Sequence, residues 1–367
     1  MKYDYLIVGA GFSGAVLAER IASQLNKKVL IIEKRNHIGG NAYDEYDKHG
    51  ILIHKYGPHI FHTNSKKVFD YLSQFTEWRK YEHKVLANLN GELYPIPINR
   101  TTINKLYNKN FTTENEVREF YERVREKRNP ILNSEDIIIN KVGVDLFEKF
   151  FKNYTKKQWE LEPKELSPSV CGRIPVRTNT DDRYFTDKFQ FMPKDGYTKM
   201  FEKMLSHENI EIILNTDYKE IVNDVKFDRM IYTGPVDYFF DYEFGKLPYR
   251  SIRFEWKNFD KEYIQKVGVV NYVGKEKQTR VCEYKHVTGQ KSNSTTLSFE
   301  YSQKEGEQFY PVLNEPNREL YLKYENKTKT LKSVIFSGRL AEYQYYNMDQ
   351  VVANILIKFK NIIYDYR

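Results

Sequence analysis

Cysteine is scarce in this sequence, and long apolar runs are missing. Only Cys171 and Cys282 occur among the 367 residues, far too few for a disulfide framework, and this fits a reducing cytoplasm. Neither has the His and Asn context of a nucleophile, so we expect two inert thiols. No apolar run approaches the roughly 20 residues that span a bilayer, and no cleavable signal precedes the first strand. We therefore expect a cytoplasmic protein with no stable membrane insertion.

Internal repeats and low-complexity segments are also missing, and the charge balance is basic. The net charge of +8 suits either nucleic-acid binding or an anionic small substrate. Lysine and arginine are dispersed, whereas nucleic-acid binders usually cluster them. The 30 tyrosines and 23 phenylalanines could stack on bases or line one nucleotide pocket. Composition leaves that choice open.

Five of the eight histidines fall between His37 and His62. This concentration permits three interpretations: a metal site, an acid/base site, or an imidazole beside a cofactor. The surrounding motifs have to decide among them.

Residues 3–34 have the pattern of a strand, a helix and a second buried strand. Gly9, Gly11 and Gly14 form a Gly-x-Gly-x-x-Gly motif between the first strand and the helix. These glycines permit a tight turn, close approach of backbone to a pyrophosphate, and close helix–strand packing, respectively. Glu33 ends the second strand, where an acid can bind ribose hydroxyls. The segment therefore predicts a dinucleotide site.

The segment 64–160 is predicted to be mainly helical after a hairpin that turns at Asn90-Gly91. Thr113-x-x-Glu116 is a capping box. Two stripes at helical spacing are predicted to be helix-bundle core: Val117, Phe120, Tyr121 and Val124, and then Val144, Phe147, Phe151 and Tyr154.

From about residue 207 the pattern becomes mostly β. The runs NIEIILNT, RSIRFEW, VGVVNYV, RVCEYKHV and TTLSFEYS are predicted strands. KSVIFSGR is a last buried strand, and QVVANILIKFKNII is a C-terminal helix. The first strand–helix–strand unit and this last pair are expected to share one discontinuous domain.

Several motifs carry a resemblance to known families. Gly39-Gly40-Asn41, shortly after Glu33, resembles the second phosphate and ribose clamp of glutathione-reductase and amine-oxidase type flavoproteins, which points to FAD rather than NAD. The further motifs are KYGPHIFHT, YTKKQW, RIPVR, DGYTK, YTGPVDYFFDYEFG, YRS, YPV and GRLAEYQYYNMDQ. With them, from residue 3 to about 355, the chain closely resembles the bacterial UDP-galactopyranose mutase family.

The resemblance implies a mixed α/β fold with a Rossmann-like FAD-binding domain, a helical insertion and an antiparallel β-sheet domain. The FAD domain would comprise residues 1–70, about 190–235 and 315–367, and the helical domain about 75–165. The β-sheet substrate domain would take about 236–314, with short segments from elsewhere. Residues 166–189 show little periodicity and are expected to form a mobile lid that closes over UDP.

The implied activity is the reversible isomerisation of UDP-galactopyranose to UDP-galactofuranose, which supplies galactofuranose for surface glycans without net redox change. Non-covalent FAD, in its reduced form, would act as a nucleophile through N5. The implied partners are a UDP-sugar, an unidentified flavin reductant and a second copy of the chain in a homodimer. No nucleic-acid partner is expected.

Three catalytic residues follow from the resemblance. Arg173, delivered by the lid, and Arg280 would neutralise the diphosphate of the leaving UDP, because bidentate guanidinium groups match it best. His62 would face the flavin and help to set its protonation and orientation. The implied substrate-binding residues, with Trp159 and Phe185 facing the uracil, are Tyr154, Trp159, Tyr184, Phe185, Arg250, Asn271, Tyr310, Tyr345 and His83.

The remaining site residues concern the cofactor. His37, His49 and His54 are expected to be solvated or capping residues, and Arg177 and Arg253 to make surface salt bridges. A metal site is not predicted, because a Gly-Pro loop does not promise a ligand geometry. The implied cofactor-binding residues are Gly9, Gly11, Phe12, Ser13, Gly14, Glu33, Lys34, Gly40, Asn41, His59, Ile60, Gly338, Arg339, Tyr346, Asn347 and Met348.

The chain also departs from the family pattern. Asn347 stands where many relatives carry Asp, and His83 replaces an asparagine that lines the site in some members. The segment LYPIPINR differs from the enterobacterial version. These departures leave the sugar specificity open, including acceptance of UDP-N-acetylgalactosamine.

Two other functions stay open at this stage. A flavin oxidase of the amine-oxidase group would share the first forty residues but would need an apolar channel. A nucleic-acid-binding protein with a vestigial nucleotide fold would show salt-dependent binding to random oligonucleotides.

Overall fold

The computed structural model describes residues 2–364, which form a mixture of strands and helices. The strands are β1 Lys2–Val8, β2 Val29–Ile32, β3 Asp44–Tyr46, β4 Leu52–His54, β5 Phe61–Thr63, β6 Trp78–Lys80, β7 Val85–Leu89, β8 Glu92–Ile96, β9 Phe189–Pro193, β10 Ile210–Ile213, β11 Lys226–Tyr232, β12 Tyr249–Phe259, β13 Val269–Tyr272, β14 Arg280–Glu283, β15 Thr295–Gln303, β16 Tyr310–Pro311 and β17 Val334–Phe336. The helices are α1 Phe12–Leu25, α2 Lys66–Leu72, α3 Arg100–Tyr107, α4 Glu114–Val124, α5 Ser134–Phe147, α6 Asn153–Trp159, α7 Pro168–Gly172, α8 Tyr197–Met204, α9 Tyr218–Ile221, α10 Val236–Phe239, α11 Tyr284–Thr288, α12 Glu315–Thr328 and α13 Met348–Tyr364.

A parallel five-stranded sheet has the order β10-β2-β1-β11-β17. Its strands come from both ends and the middle of the chain, and β1 pairs with β2 on one side and β11 on the other. The apolar residues of β1 and β2 are fully buried because helices cover the sheet. The predicted strand–helix–strand unit at the N-terminus is confirmed.

The helix α13 packs against α1 on one face of this sheet. Val352 and Ile355 of α13 are buried with Val16 and Ile21 of α1. The predicted last strand, β17, and the predicted C-terminal helix are therefore confirmed, and they close the sheet that the first strand begins.

A seven-stranded sheet has the order β16-β12-β15-β14-β13-β7-β8. Its pairs are antiparallel except for β13 with β7. The hairpin of β7 and β8 turns at Asn90 and Gly91, which both have positive φ, as the Asn-Gly signal predicts. One predicted strand is half wrong, because RVCEYKHV continues into the helix α11 after Glu283.

The helical segment lies between β8 and β9. The capping box at Thr113 and Glu116 is confirmed at the start of α4. The prediction that Val124 and Val144 belong to the core is wrong, since they are 37% and 38% exposed, whereas the other stripe residues apart from the partly buried Tyr154 are buried.

The helical pattern from residue 136 to 159 is not one continuous helix. At Gly143 the backbone has φ 82° and ψ 171°, and residues 148–152 form a π-helical turn before α6. A Cβ at position 143 would lie 2.1 Å from the carbonyl oxygen of Val124, so only glycine fits this contact between α4 and α5.

The fold class is a mixed α/β fold with a Rossmann-like sheet, as predicted. Within residues 2–364, no helix is both long and apolar enough to cross a membrane.

Candidate functional site

The glycine-rich turn after β1 opens into a cavity of about 420 Å³. This volume is within the roughly 300–1,000 Å³ of ordinary ligand sites. The predicted cofactor residues that line the cavity are Gly9, Gly11, Phe12, Ser13, Glu33, Lys34, Gly40, Asn41, His59, Arg339 and Met348.

Two glycine contacts shape the wall of this first cavity. A Cβ on Gly9 would lie 2.2 Å from the hydroxyl oxygen of Thr233, and a Cβ on Gly40 would lie 2.8 Å from the Cα of Gly11. The two glycine-rich turns therefore touch backbone to backbone. Such a surface, with N–H groups at the start of α1, fits a dinucleotide with its pyrophosphate.

Glu33 is buried at the end of β2 and holds the turn in place. Its carboxylate accepts hydrogen bonds from the backbone N–H of Ala10 at 2.8 Å and of Arg35 at 3.0 Å. Each oxygen keeps further acceptor capacity toward the cavity. A ribose hydroxyl is a donor that this position can bind.

Five predicted cofactor residues do not line the first cavity. Gly14 instead permits helix–strand packing, since a Cβ there would lie 1.9 Å from the carbonyl oxygen of Gly9. Gly338 has φ +100° and allows close approach to Ser13. The other three are Ile60, which packs on the core, Tyr346, whose carbonyl accepts from Arg339, and Asn347, whose N–H bonds Gln350.

The lining also contains residues that the sequence argument did not select. Arg35 donates to Glu307 at 2.6 Å and to Asn41 at 2.9 Å, and its guanidinium lies 4.1 Å from the centre of the Tyr56 ring. Part of the lining comes from the motif YTGPVDYFFDYEFG, of which no residue was predicted to belong to the site. Further lining residues outside the predicted set are Thr216, Asp217, Tyr218, Thr233, Tyr238, Tyr242 and Gln308.

Two of the histidines that were expected to be solvated or capping residues are not solvated. His54 is buried, and desolvation lowers its pKa to about 3. His37 is also buried, and its ring stacks on Tyr43 at 3.8 Å while Nε2 bonds the hydroxyl of Tyr56 at 2.7 Å. His54 follows the apolar run Ile51–Ile53, whereas His37 follows polar residues, so tertiary packing rather than residue type decides its burial. His49 is exposed, as predicted.

His59 and His62 occupy different environments. The ring of His59 lines the first cavity, its Nδ1 bonds the carbonyl of Gly57 at 2.9 Å, and burial lowers its pKa to about 3. His62 pairs with Asp187 at 2.9 Å and stacks on Phe185 at 3.5 Å. Among residues 2–364, no group of three or more His, Cys, Asp and Glu side chains is arranged to hold a metal ion.

A second cavity, of about 90 Å³, lies between α6, α7 and the seven-stranded sheet. This volume is smaller than that of an ordinary ligand site, so a nucleotide needs its walls to move apart. Arg173 and Ile174, from the predicted lid, form part of the wall. The mobility of residues 166–189 stays a prediction. The predicted substrate and catalytic residues lining this cavity are Tyr154, Trp159, Arg173, Tyr184, Asn271, Arg280, Tyr310 and Tyr345.

Positive charge is concentrated at this second cavity. The Nε of Arg280 donates to the buried carboxylate of Glu300 at 2.6 Å, which fixes the guanidinium in one orientation. Arg173 lies 4.3 Å from the centre of the Tyr345 ring. Desolvation raises the pKa of Tyr345, but Arg173, Arg339 and Arg280 outweigh it and hold the pKa below its ordinary value. The cavity is thus built to stabilise negative charge.

Arg339 connects the two cavities. Its side chain lines the first cavity and lies 5.6 Å and 5.3 Å from the ring centres of Tyr310 and Tyr345, which line the second. The rings of Tyr310 and Tyr345 stack at 5.4 Å. The two cavities therefore meet at one arginine.

Three predicted substrate residues are not part of the second cavity's lining. Arg250 is buried in a bidentate ion pair with Glu160. Phe185 stacks on His62, so it does not share a cavity with Trp159. His83 is buried beneath Tyr184, and desolvation, with smaller effects of Arg280 and His62, lowers its pKa to about 3.

The two arginines expected at the surface differ. Arg253 is half-exposed and pairs with Glu255 at 2.5 Å, as predicted. The prediction for Arg177 is wrong: its side chain is only 9% exposed, and it donates to the backbone carbonyls of Asp181 and Arg183. Arg177 therefore anchors the segment that ends at Tyr184.

Comparison with known proteins identifies the family of the chain. A family model described as UDP-galactopyranose mutase matches residues 149–345, and one described as an NAD(P)-binding Rossmann-like domain matches residues 7–75. A dTDP-fucopyranose mutase of Escherichia coli is 39% identical, covering 94% of each chain. A probable UDP-galactopyranose mutase of Klebsiella pneumoniae is 38% identical, covering 96% of this chain and 93% of the relative.

Solved structures agree at the level of the fold. A crystal structure of reduced UDP-galactopyranose mutase superposes with a TM-score of 0.79 at 15% identity, over 99% of this chain and 94% of the other. A putrescine oxidase superposes with a TM-score of 0.63 at 13% identity over 99% of each chain. The family match over 149–345 and the full-length relatives settle the assignment: the chain belongs to the UDP-galactopyranose mutase family, whose members are isomerases.

Proposed function

We propose that the protein interconverts UDP-galactopyranose and UDP-galactofuranose with FAD as its cofactor. The observation that carries the proposal is the meeting of a dinucleotide-shaped cavity and an arginine- and tyrosine-lined cavity at Arg339. Substrate and product are isomers, so the reaction needs no co-substrate and leaves the redox state unchanged. The product would supply galactofuranose for surface glycans.

The first cavity is proposed to hold FAD through Glu33 and the two glycine-rich turns. Glu33 would accept from the ribose, and the N–H groups at the start of α1 would bind the pyrophosphate. Reduced FAD, when bound, supplies a nucleophile that can take the place of UDP on the anomeric carbon. A cellular flavin reductant is therefore part of the proposal, as are a homodimeric assembly and a cytoplasmic location.

The second cavity is proposed to hold UDP. Arg173 and Arg280 would face the diphosphate, where charge increases as the sugar–phosphate bond breaks. Because Glu300 already holds the Nε of Arg280, its terminal nitrogens are oriented before the substrate binds. Tyr154, Tyr184, Tyr310 and Tyr345 offer hydroxyl donors around the same position. Trp159 supplies an aromatic wall against which a base can stack.

A second candidate substrate is favoured by one comparison. The dTDP-fucopyranose mutase is 39% identical to this chain, and the probable UDP-galactopyranose mutase is 38% identical. The same residues could contract the ring of a dTDP-linked 6-deoxy sugar, since the diphosphate is shared. His83 and Asn347, which depart from the family pattern, line neither cavity and so favour neither sugar.

The test is a panel of sugars given to chemically reduced protein. UDP-galactopyranose, UDP-N-acetylgalactosamine and dTDP-fucopyranose are incubated separately, and the products are separated by chromatography and identified by NMR. We expect a furanose product from UDP-galactopyranose at the highest kcat/KM. A higher kcat/KM with dTDP-fucopyranose would transfer the assignment to that substrate. Oxygen consumption with an amine, and no furanose from any sugar, would favour an oxidase.

A further inference from the structure

Lys157 lies on α6 between Tyr154 and Trp159, two residues that line the second cavity. Its Nζ does not line that cavity. It donates instead to three backbone carbonyls of one loop: those of Tyr272 at 2.6 Å, Glu276 at 2.9 Å and Gln278 at 3.1 Å.

The loop that Lys157 binds carries the opposite wall of the second cavity. It connects β13 to β14, and Asn271 and Arg280 are paired residues at its base. Both of these residues line the cavity. The loop closes with a hydrogen bond from the N–H of Tyr272 to the carbonyl of Thr279 at 2.9 Å. A displacement of the loop would therefore move the guanidinium of Arg280.

The charge of Lys157 suits this position. An ammonium group has three donors and no acceptor, which matches three convergent carbonyl oxygens. Burial lowers the pKa of Lys157 to about 8, with Glu276 opposing the change, so the protonated form still predominates at neutral pH. Removal of the ammonium would leave three partly buried carbonyls without their donor.

We propose that Lys157 is a positioning residue for nucleotide binding: it fixes residues 272–279 against α6 and so sets the spacing between the wall of Tyr154 and Trp159 and the wall of Asn271 and Arg280. The inference rests on the proposed function, because it takes the second cavity to be the UDP site. Lys157 itself touches no substrate.

The chain offers a matched control in the preceding residue. Lys156 is on the same helix, but its side chain is 59% exposed and its ammonium pairs with Glu162 rather than with the loop. Lys156→Met therefore removes the same charge without releasing the carbonyls.

The experiment compares Lys157→Met, Lys157→Arg and Lys156→Met with wild type as FAD-loaded protein. Hydrogen exchange of the amides of residues 272–279 reports the loop, and calorimetric titration with UDP reports the site. We expect Lys157→Met to speed exchange in this loop and weaken UDP binding roughly tenfold, with retention of FAD. KM for the sugar nucleotide should rise more than kcat falls. Lys157→Arg should be intermediate, and Lys156→Met unchanged.

Several results would overturn the proposal. Unchanged loop exchange in Lys157→Met, or UDP affinity within about twofold of wild type, would show that Lys157 does not position the wall. Equal weakening by Lys156→Met would show a general charge effect. If Lys157→Met fails to fold, Lys157→Gln, which keeps one donor group, decides the same comparison. Failure of the proposed function is distinguishable, because wild-type protein would then not bind UDP.

Discussion

In each cavity, one buried carboxylate holds a group of the wall in position. Glu33 holds the glycine-rich turn through the N–H groups of Ala10 and Arg35, and Glu300 holds the guanidinium of Arg280. Both carboxylates are buried, so their hydrogen-bond partners are held in one position. Substitutions at these pairs should therefore separate cofactor binding from substrate chemistry.

Glu33→Ala is expected to weaken the retention of FAD. The substitution removes a ribose acceptor and leaves two backbone donors at the turn without a partner. Flavin absorbance after extensive dialysis measures the effect. Glu211→Ala, on the exposed face of the neighbouring strand β10, is the control and should keep its flavin. Full flavin occupancy in Glu33→Ala would mean that the ribose acid has been placed wrongly.

Arg173→Ala and Arg280→Ala are each expected to lower kcat by about 10²–10³, or about 2.7–4 kcal/mol, because charge on the departing phosphate loses its partner. Flavin content should stay normal. Lysine should restore activity only partly, since it lacks the bidentate fork. Arg280→Ala also leaves the buried carboxylate of Glu300 without its ion-pair partner. The free energy of unfolding of this variant should therefore fall.

Arg253→Ala is the control for these variants. Arg253 makes an exposed ion pair with Glu255, lies far from Arg173 and Arg280 in sequence, and has no proposed contact with the diphosphate. Arg177 is unsuitable, since it anchors backbone carbonyls. If Arg280→Ala with reduced flavin has near-normal turnover, then residues other than those proposed here bind the diphosphate.

Glycine determines the shape of the helical insertion at one position. The sequence predicted helix here from an apolar stripe that begins at Val144 and ends at Tyr154. The spacing of apolar residues indicates which side chains share one face of a helix. It carries no information about a backbone contact with another helix. The break at Gly143 depends on the approach of α4, which local pattern does not contain.

Gly143→Ala is expected to lower the free energy of unfolding by more than the about 1–3 kcal/mol that a positive φ alone costs, because the added Cβ would lie 2.1 Å from the carbonyl of Val124. Urea denaturation measures this. Gly91→Ala is the matched control: its φ is +89°, and nothing lies within 4 Å of its added Cβ. Equal losses in the two variants would show that the contact with α4 contributes nothing.

Elements with a local cause were predicted well. The Asn90-Gly91 hairpin, the cap of α4 and the buried strands of the parallel sheet each follow from short-range chemistry. Predictions were wrong where tertiary packing decides, as for buried His54, anchored Arg177 and exposed Val144. The candidate site follows the same rule. Its glycine-rich turns were predicted from a local motif, whereas Thr216, Tyr238 and Tyr242 were not predicted, because they reach the cavity from a distant part of the chain.

In the molecule as a whole, desolvation lowers the pKa of three imidazoles strongly; two of them are buried, and that of His59 is half-buried. His54, His59 and His83 each have a pKa lowered to about 3 by desolvation, from an ordinary value of 6.5. Between these pH values the unfolded chain binds more protons than the folded protein, so stability falls as the pH drops below about 6.5. Each unit by which the pKa differs between the folded and the unfolded protein corresponds to about 1.4 kcal/mol of folding stability.

The expected outcome is a steep loss of stability between pH 6 and pH 4, measured by urea unfolding at a series of pH values. His54→Asn keeps an acceptor for the N–H of His59 but does not titrate, so its stability should depend less steeply on pH. His49→Asn, at an exposed position, should match the wild-type slope. An unchanged slope in His54→Asn would contradict the linkage.

We propose that the two cavities form one isomerase site that works only with a reduced flavin. The direct measurement gives UDP-galactofuranose to the FAD-loaded protein under anaerobic conditions, with and without dithionite, and follows the products by NMR. We predict conversion to UDP-galactopyranose only in the reduced sample, with no net oxidation of sugar or flavin. No conversion in the reduced sample, or equal conversion in the oxidised one, would contradict it.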